Sequence, residues 1–293
     1  MTSALEASFA WCKALTKRTA GNFYFSFLTL PADQLRDMCV LYAFMRVTDD
    51  LGDNEDQSSE ARETALVAWR TELESALSEE QANHHLFPAL VDLVNRHRIP
   101  PEYLIAVIEG VQTDLNPQGF ETFADLENYC YHVAGAVGLC CIHVWGFEGE
   151  EAIPLAIDCG TAFQLTNILR DLGEDAAMGR VYLPREDLER FDYHSADIAA
   201  HCRDERFDEL MQFEIARARE YYTKAARLLP LLKSTGKPIF AAMLRIYGGL
   251  LDEIERRQYD IYSQRVRLPR WKKLWISFDA IVRYRWLGRT ASW

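Results

Sequence analysis

From Phe123 to Phe147, and again from Ile153 to Leu172, the sequence is apolar nearly all round at helical spacing. Helices of that kind have no face to give to water, so they belong at the centre of a bundle. The longest apolar run, Val133–Phe147, has 15 residues and contains His143. That is short of the roughly 18–20 residues needed to cross a bilayer. The flanking segments are helical too, with apolar faces. Leu35, Met38, Cys39, Tyr42, Met45 and Arg46 recur at i, i+3, i+4, i+7, as do Leu66, Trp69, Leu73 and Leu77, then Leu104, Val107, Ile108 and Val111. A long helical stretch runs from Phe207 to about Leu232. Breakers punctuate the pattern at Pro31, Pro88, Pro100-Pro101, Pro117, Pro154, Pro184, Pro230, Gly236 and Pro269. No alternating pattern is long enough for a sheet, and Arg180-Val181-Tyr182-Leu183-Pro184 reads better as a loop than as a strand. The expectation is one all-α domain over residues 1–293, a helical bundle of about ten to twelve helices.

Composition narrows the function. With 49% apolar and 26% charged residues the chain is an ordinary globular one. A net charge of −12 makes it a poor partner for nucleic acid. Seven cysteines without a CxxC pair read as small buried hydrophobes in a reducing compartment. The N-terminus has no signal-peptide layout, so the expected location is cytoplasmic, with membrane contact only at the protein surface. The charge is uneven: Arg265–Trp293 carries +7, against −19 for the other 264 residues. Trp271, Trp275, Trp286 and Trp293 lie in that basic stretch. A basic, Trp-rich helix or tail over 267–293 reads as a membrane-surface element, or as a last helix held on the acidic body by charge.

Two acidic clusters carry the chemistry. Asp49 and Asp53 are four residues apart, so on a helix they share a face. Asn167, Asp171 and Asp175 are spaced i, i+4, i+8 at the end of an apolar helix, where bare carboxylates are least expected. Paired oxygen ligands without His or Cys suit magnesium, or manganese, which shares its remaining positions with water and substrate phosphates. Arg46 and Arg170 adjoin the clusters and can bond phosphate oxygens. A solvated acidic helix face is the plainer alternative, stronger for Asp49–Asp56 than for Asn167–Asp175. Aromatics crowd the same regions: Phe23, Tyr24, Phe25, Phe27, Tyr42, Tyr129 and Tyr131. Either they pack the core, or their ring faces line a water-poor pocket for a carbocation. Ala134 and Gly138, four apart, either let another helix approach closely or leave a face open for a long chain.

The segments LYAFMRVTDDLGD, YCYHVAGAVG and QLTNILRDLGEDAAMGRVYLP, in that order, resemble the squalene/phytoene synthases, head-to-head prenyl transferases of the all-α isoprenoid synthase fold. NFYFSFLTLP and IYGGLLDEIERRQYDIYSQRVRL match more loosely, and the resemblance covers residues from about 20 to 270. It implies that one allylic diphosphate ionises with magnesium help. A second then attacks to give a cyclopropylcarbinyl diphosphate, which can ionise again and rearrange. Carried over by position, Asp49, Asp53, Asp171 and Asp175 would bind magnesium, with Asn167 assisting. Arg46, Arg170 and Arg265 would bind diphosphate. Tyr129 matches a tyrosine implicated in proton handling, and Phe23, Gln164, Tyr182 and Tyr247 match further pocket positions beside Tyr42. Asn22 and Ala176 depart from the family pattern without removing a ligand.

Phe27 falls where a bulky ring would shorten the pocket. That favours two fifteen-carbon farnesyl chains, giving presqualene diphosphate and a squalene or dehydrosqualene product, over two twenty-carbon chains giving phytoene. Reduction to squalene would need NADPH. No G-x-G-x-x-G is present, but reducing members of the family lack that fold as well. A terpene cyclase and a non-catalytic subunit of the same fold are the rival readings. A downstream isoprenoid enzyme is an expected partner.

Overall fold

The structure, a computed structural model, describes residues 3–20, 26–27, 29–54, 56–78, 83–115 and 119–286. Phe23, with Asn22, Tyr24 and Phe25, lies outside them, as do Pro117, Arg289 and Trp293. Among the described residues there is no strand, only one isolated antiparallel bridge between Phe147 and Leu232. The helices are α1 (Ser3–Thr19), α2 (Ala32–Gly52), α3 (Ser59–Leu77), α4 (Phe87–His97), α5 (Pro101–Thr113), α6 (Phe123–Cys130), α7 (Ala136–Trp145), α8 (Ala152–Ala177), α9 (Arg185–Arg190), α10 (Ser195–Ala199), α11 (Glu205–Ala226), α12 (Lys237–Arg256) and α13 (Arg270–Ile281). The all-α expectation holds, and residues 180–184 form the expected loop. The long stretch from Phe207 stops at Ala226, and a short 3-10 turn around Pro230 follows.

Local chemistry sets the ends. Thr122 caps α6 by accepting from the Asp125 amide at 3.3 Å, while the Asp125 carboxylate accepts from the Thr122 amide at 2.9 Å, a reciprocal capping box. Ser58 caps α3 and Asp204 caps α11 in the same sense. Arg98, with φ 52°, ends α4 in the left-handed region, and Pro101 opens α5.

The two all-round apolar segments do occupy the centre. α6 and α7 form one continuous helix through a π-helical turn at Tyr131–Gly135. α8 packs on that helix, on α11 and on α12, while α2 packs on α1, α3, α4, α5 and α7. By length and composition α8 could cross a bilayer, but most of its apolar window is buried in the bundle. The core falls into two apolar clusters, and Phe163, Tyr222 and Ile246 pack against both. Six of the seven cysteines are buried and all are free, as their apolar settings imply.

Close approach fixes the centre. A Cβ on Gly160 of α8 would lie 2.5 Å from the Gly135 nitrogen, and one on Gly138 would lie 3.0 Å from the Ala156 carbonyl oxygen. Ala134 and Gly138 also line a cavity, so the small residues serve both close packing and an open face. Gly160→Ala drives a methyl into backbone that cannot swing aside. The expected cost is about 1–3 kcal/mol, read from the urea midpoint with unchanged slope. A neutral substitution would show that the two helices can separate freely.

Candidate active site

α2, α5, α7, α8 and α12, with the π turn and Tyr129 of α6, wall a cavity of about 430 Å³. That volume is within the range of small-molecule sites. One end is polar, lined by Asp49, Asp114, Gln164 and Asn167. The other lining is apolar, including Met38, Val133, Val137, Trp145, Leu228 and Phe240. On the central helix the lining stripe runs Tyr129, Val133-Ala134, Val137-Gly138, Cys141-Ile142, Trp145. The π turn carries its second step, Val133-Ala134. The extra residue keeps both Tyr129 and the lower stripe on the cavity side.

Asp49 and Asp53 sit at the end of α2, and Asp171 and Asp175 near the end of α8. The two pairs share one electrostatic environment. Protein packed around Asp49, together with the charge of Asp53, pushes its carboxyl up to about 7 against the pull of Arg46, although the side chain still meets solvent in the cleft. Burial and the charge of Asp171 push Asp175 up to about 6, against Arg180. Asp114, at the end of α5, adds its charge to both.

Arginines offset this crowding. Arg170 donates to Asp171 through Nε at 2.7 Å and through a second nitrogen, and Arg265 reaches Asp171 at 2.8 Å and Glu174 at 3.2 Å. Arg46 pairs with Asp50. Its Nε is buried without a hydrogen-bond partner.

Two site residues were not foreseen from the sequence. Asp114 accepts the Tyr129 hydroxyl on both oxygens, at 2.9 and 3.0 Å, and the Tyr182 hydroxyl at 3.0 Å. Burial raises the Asp114 carboxyl despite these donors. The Tyr129 and Tyr182 rings stack with centroids 5.4 Å apart, and Phe120 lies 5.2 Å from Tyr129. The signal was the position of Asp114 at a helix C-terminus, where an acid opposes the helix dipole. Arg180 stands in the 180–184 loop and acts on Asp114, Asp53 and Tyr182. That loop is anchored where α9 begins. Arg217 of α11 donates to buried Asp187 at 2.7 and 3.0 Å, and to buried Glu214 at 2.9 Å.

The remaining expected residues fall as follows. Gln164 Oε1 accepts from Asn167 Nδ2 at 3.3 Å. The Tyr247 ring stacks on Phe163 at 4.4 Å, and burial pushes its hydroxyl up to about 12. Phe27 is buried edge-on to Tyr42, with centroids 6.3 Å apart, and both line the cavity. Tyr131 does not line the cavity; it packs edge-on to His132.

The donor set suits a hard divalent cation. Among the described residues no three acidic or other ligating side chains converge on one point. Pairs of carboxylates therefore leave coordination positions to water or phosphate, as magnesium prefers. The raised carboxyls and the orphaned Arg46 Nε fit a site built for a cation and an anion together.

A helical bundle enclosing an apolar cavity, with two carboxylate pairs near its polar end, suits an enzyme acting on an apolar diphosphate. The model of the squalene/phytoene synthase family matches residues 16–272. Among similar proteins, the phytoene synthase of Arthrospira platensis is 38% identical, covering 91% of this chain and 90% of its own. The 15-cis-phytoene synthase of Synechococcus elongatus is 35% identical, with 93% and 92% covered. A solved dehydrosqualene synthase superposes with a TM-score of 0.86 at 26% identity, covering 94% of this chain and 96% of its own. The squalene synthase HpnC from Alicyclobacillus acidocaldarius gives 0.83 at 29%, with 88% and 97% covered. The chain belongs to the squalene/phytoene synthase family. It is a prenyltransferase that condenses two prenyl diphosphates head to head, and the family works with a divalent cation.

The raised Asp49 value has a sign that can be measured. A carboxyl raised on folding favours the folded state while protonated, and that stability is lost as pH rises from about 4 through about 7. Without a divalent cation, Asp49→Asn is expected to melt a few degrees above the parent at pH 8, at about 2–4 °C per kcal/mol, and level with it near pH 4. Added magnesium should narrow the gap at pH 8, because the parent gains more from it. A pH-independent difference would refute the electrostatic account.

Proposed function

We propose that the protein joins two twenty-carbon geranylgeranyl diphosphates into phytoene. The length of the central-helix wall, from Tyr129 to Trp145, carries the proposal. Asp49 to Met38 on α2, and Asn167 to Ala156 on α8, each span about three turns, or about 16 Å; Tyr129 to Trp145 spans about 24 Å. An extended chain advances about 1.2 Å per bond, as a polypeptide backbone does, so the main chain of a geranylgeranyl group reaches about 18 Å and that of farnesyl about 13 Å. The phytoene synthases among the relatives support the same substrate. Phe27 is the observation that favours fifteen carbons. Its contact with Tyr42, about two turns below Asp49, makes it a constriction of the side wall.

Arg46, Arg170, Arg180 and Arg265 present positive charge to the diphosphates. Asp49, Asp53, Asp171 and Asp175, with Asn167, would hold the divalent cation, which would neutralise the departing diphosphate. As the C1–O bond of one substrate breaks, the apolar lining excludes water from the allylic cation, and the rings of Tyr42, Phe163 and Tyr247 stabilise it. The double bond of the second substrate attacks that carbon, and closure of the cyclopropane releases a proton. Tyr129 donates its own hydrogen to Asp114, so its oxygen can accept that proton while Asp114 takes the phenolic one. Loss of the second diphosphate, rearrangement and loss of a further proton give phytoene. That sequence balances without a reductant, so NADPH has no role in it.

The test is incubation with magnesium and either geranylgeranyl or farnesyl diphosphate, with and without NADPH, read by mass spectrometry. A forty-carbon product independent of NADPH is expected. A higher kcat/KM for farnesyl diphosphate would restore the thirty-carbon assignment. For the proton relay, Tyr129→Phe and Asp114→Asn should each lower kcat by about 10²–10⁴-fold with KM nearly unchanged. A change confined to KM would reduce both residues to substrate positioning.

A further inference from the structure

α13 leaves a row of large apolar side chains uncovered. Trp271 is 70% exposed, Leu274 49%, Trp275 61% and Phe278 52%. They recur at i, i+3, i+4 and i+7, so they form one ridge. The opposite face buries Ile276, Ser277 and Ala280, and α13 packs on α12. Among the described residues only Val67 and Met178 are comparably exposed large apolar side chains, and neither is in this helix. Soluble monomers seldom leave such a patch without a use for it.

The charge around the ridge indicates what covers it. Arg265–Arg285 holds seven cations and one acid in a chain of net charge −12. The acid, Asp279, is taken by Arg245 at 2.5 Å and Arg283 at 2.8 Å. Arg267, Arg270, Lys272 and Lys273 have no ion pair among the described residues. At 3.6 residues per turn Arg270 borders the ridge on one flank and Lys272 on the other. Lys273 lies close enough to Arg170 to feel its charge, which places this end of α13 near Arg170 and the Asp171 it pairs with.

We propose that α13 docks the protein on an anionic phospholipid bilayer. The ridge enters the interface, and Arg267, Arg270 and Lys272 meet headgroup phosphates. A basic rim around an aromatic ridge suits that surface in both charge and depth. A second copy would meet ridge and rim with the same ridge and rim, cation against cation, or else build an open head-to-tail array. Docking carries the polar end of the cavity to the bilayer, where a long prenyl chain can enter from lipid. That last consequence rests on the proposed reaction; the docking itself does not.

The test uses the full chain without substrate, so it stands apart from any failure of the reaction assignment. Vesicles of phosphatidylcholine, with and without phosphatidylglycerol, are sedimented with the protein at low and high salt, and tryptophan emission is followed. Expected are at least about tenfold more binding to the anionic vesicles, a blue shift on binding, and weakening by salt. The combined variant Trp271→Ser, Trp275→Ser, Phe278→Ser should lose binding about tenfold or more while its melting temperature is retained. Arg270→Glu with Lys272→Glu should abolish the preference for anionic lipid. Absence of vesicle binding, equal binding by the ridge variant, or a dimer in solution that the ridge variant dissociates would each overturn the proposal.

Discussion

Carboxylates crowded near one end of an apolar cavity, repelling within each pair and each pair repelled by Asp114, set the terms for the rest of the structure. Two unit charges about 4 Å apart exchange roughly 4 kcal/mol at an effective dielectric of 20. Helices bearing Asp49 with Asp53, and Asp171 with Asp175, therefore need support from elsewhere. α8 obtains it from burial along most of its length, and α2 from the five helices packed on it. Arg170 and Arg265 converge on Asp171, while Arg46 is turned toward Asp50. Burial, and after it the repulsion that remains, raises the carboxyls of Asp49 and Asp175. A divalent cation would supply the positive charge that this end of the cavity is short of. Ligand binding and local stability are thus linked.

The same burial that makes the acids costly makes Asp114 useful. Two phenols satisfy it, and each is positioned by a different device. Tyr129 is brought to the cavity just above a π turn, and that turn lies against Gly160 of α8, where no side chain intervenes. Tyr182 comes from a loop with no regular hydrogen bonding of its own. That loop leads into α9, which is tied down by Arg217 on the buried carboxylates of Asp187 and Glu214. Burial pushes the Glu214 carboxyl up despite Arg217.

Most of the architecture was legible because helical period and all-round apolarity are local signals. The D-x-x-x-D pairs were legible for the same reason, since spacing alone puts each pair on one face. Asp114 was not, because a single acid at a helix end has no partner at helical spacing; its partners come from residues 129 and 182. The π turn was hidden by the apolarity around it, for a shifted register leaves no polar residue out of place. Ala134 and Gly138 could not be assigned to packing or to an open face from spacing, and Gly138 does both. Trp271 and Trp275 marked the basic helix, but Leu274 and Phe278 join the ridge only because α12 covers the opposite face.

The acids cannot select the length of the substrate. In the proposed reaction they act at the diphosphate, which is the same on a fifteen- and a twenty-carbon chain. Selection has to come from the walls below them, and those walls are not equivalent. Phe27 packs edge-on to Tyr42 and lines the cavity partway down, where its ring meets a chain that passes. Met38, Trp145, Leu228 and Phe240 belong to the apolar lining beyond it, and Met38 and Trp145 are far enough along their helices to decide where a chain must stop. Product length is therefore governed by residues distant from the chemistry and spread over several segments. Such residues carry no motif, which is why a family resemblance anchored in the acidic clusters fixes the reaction class more firmly than the product.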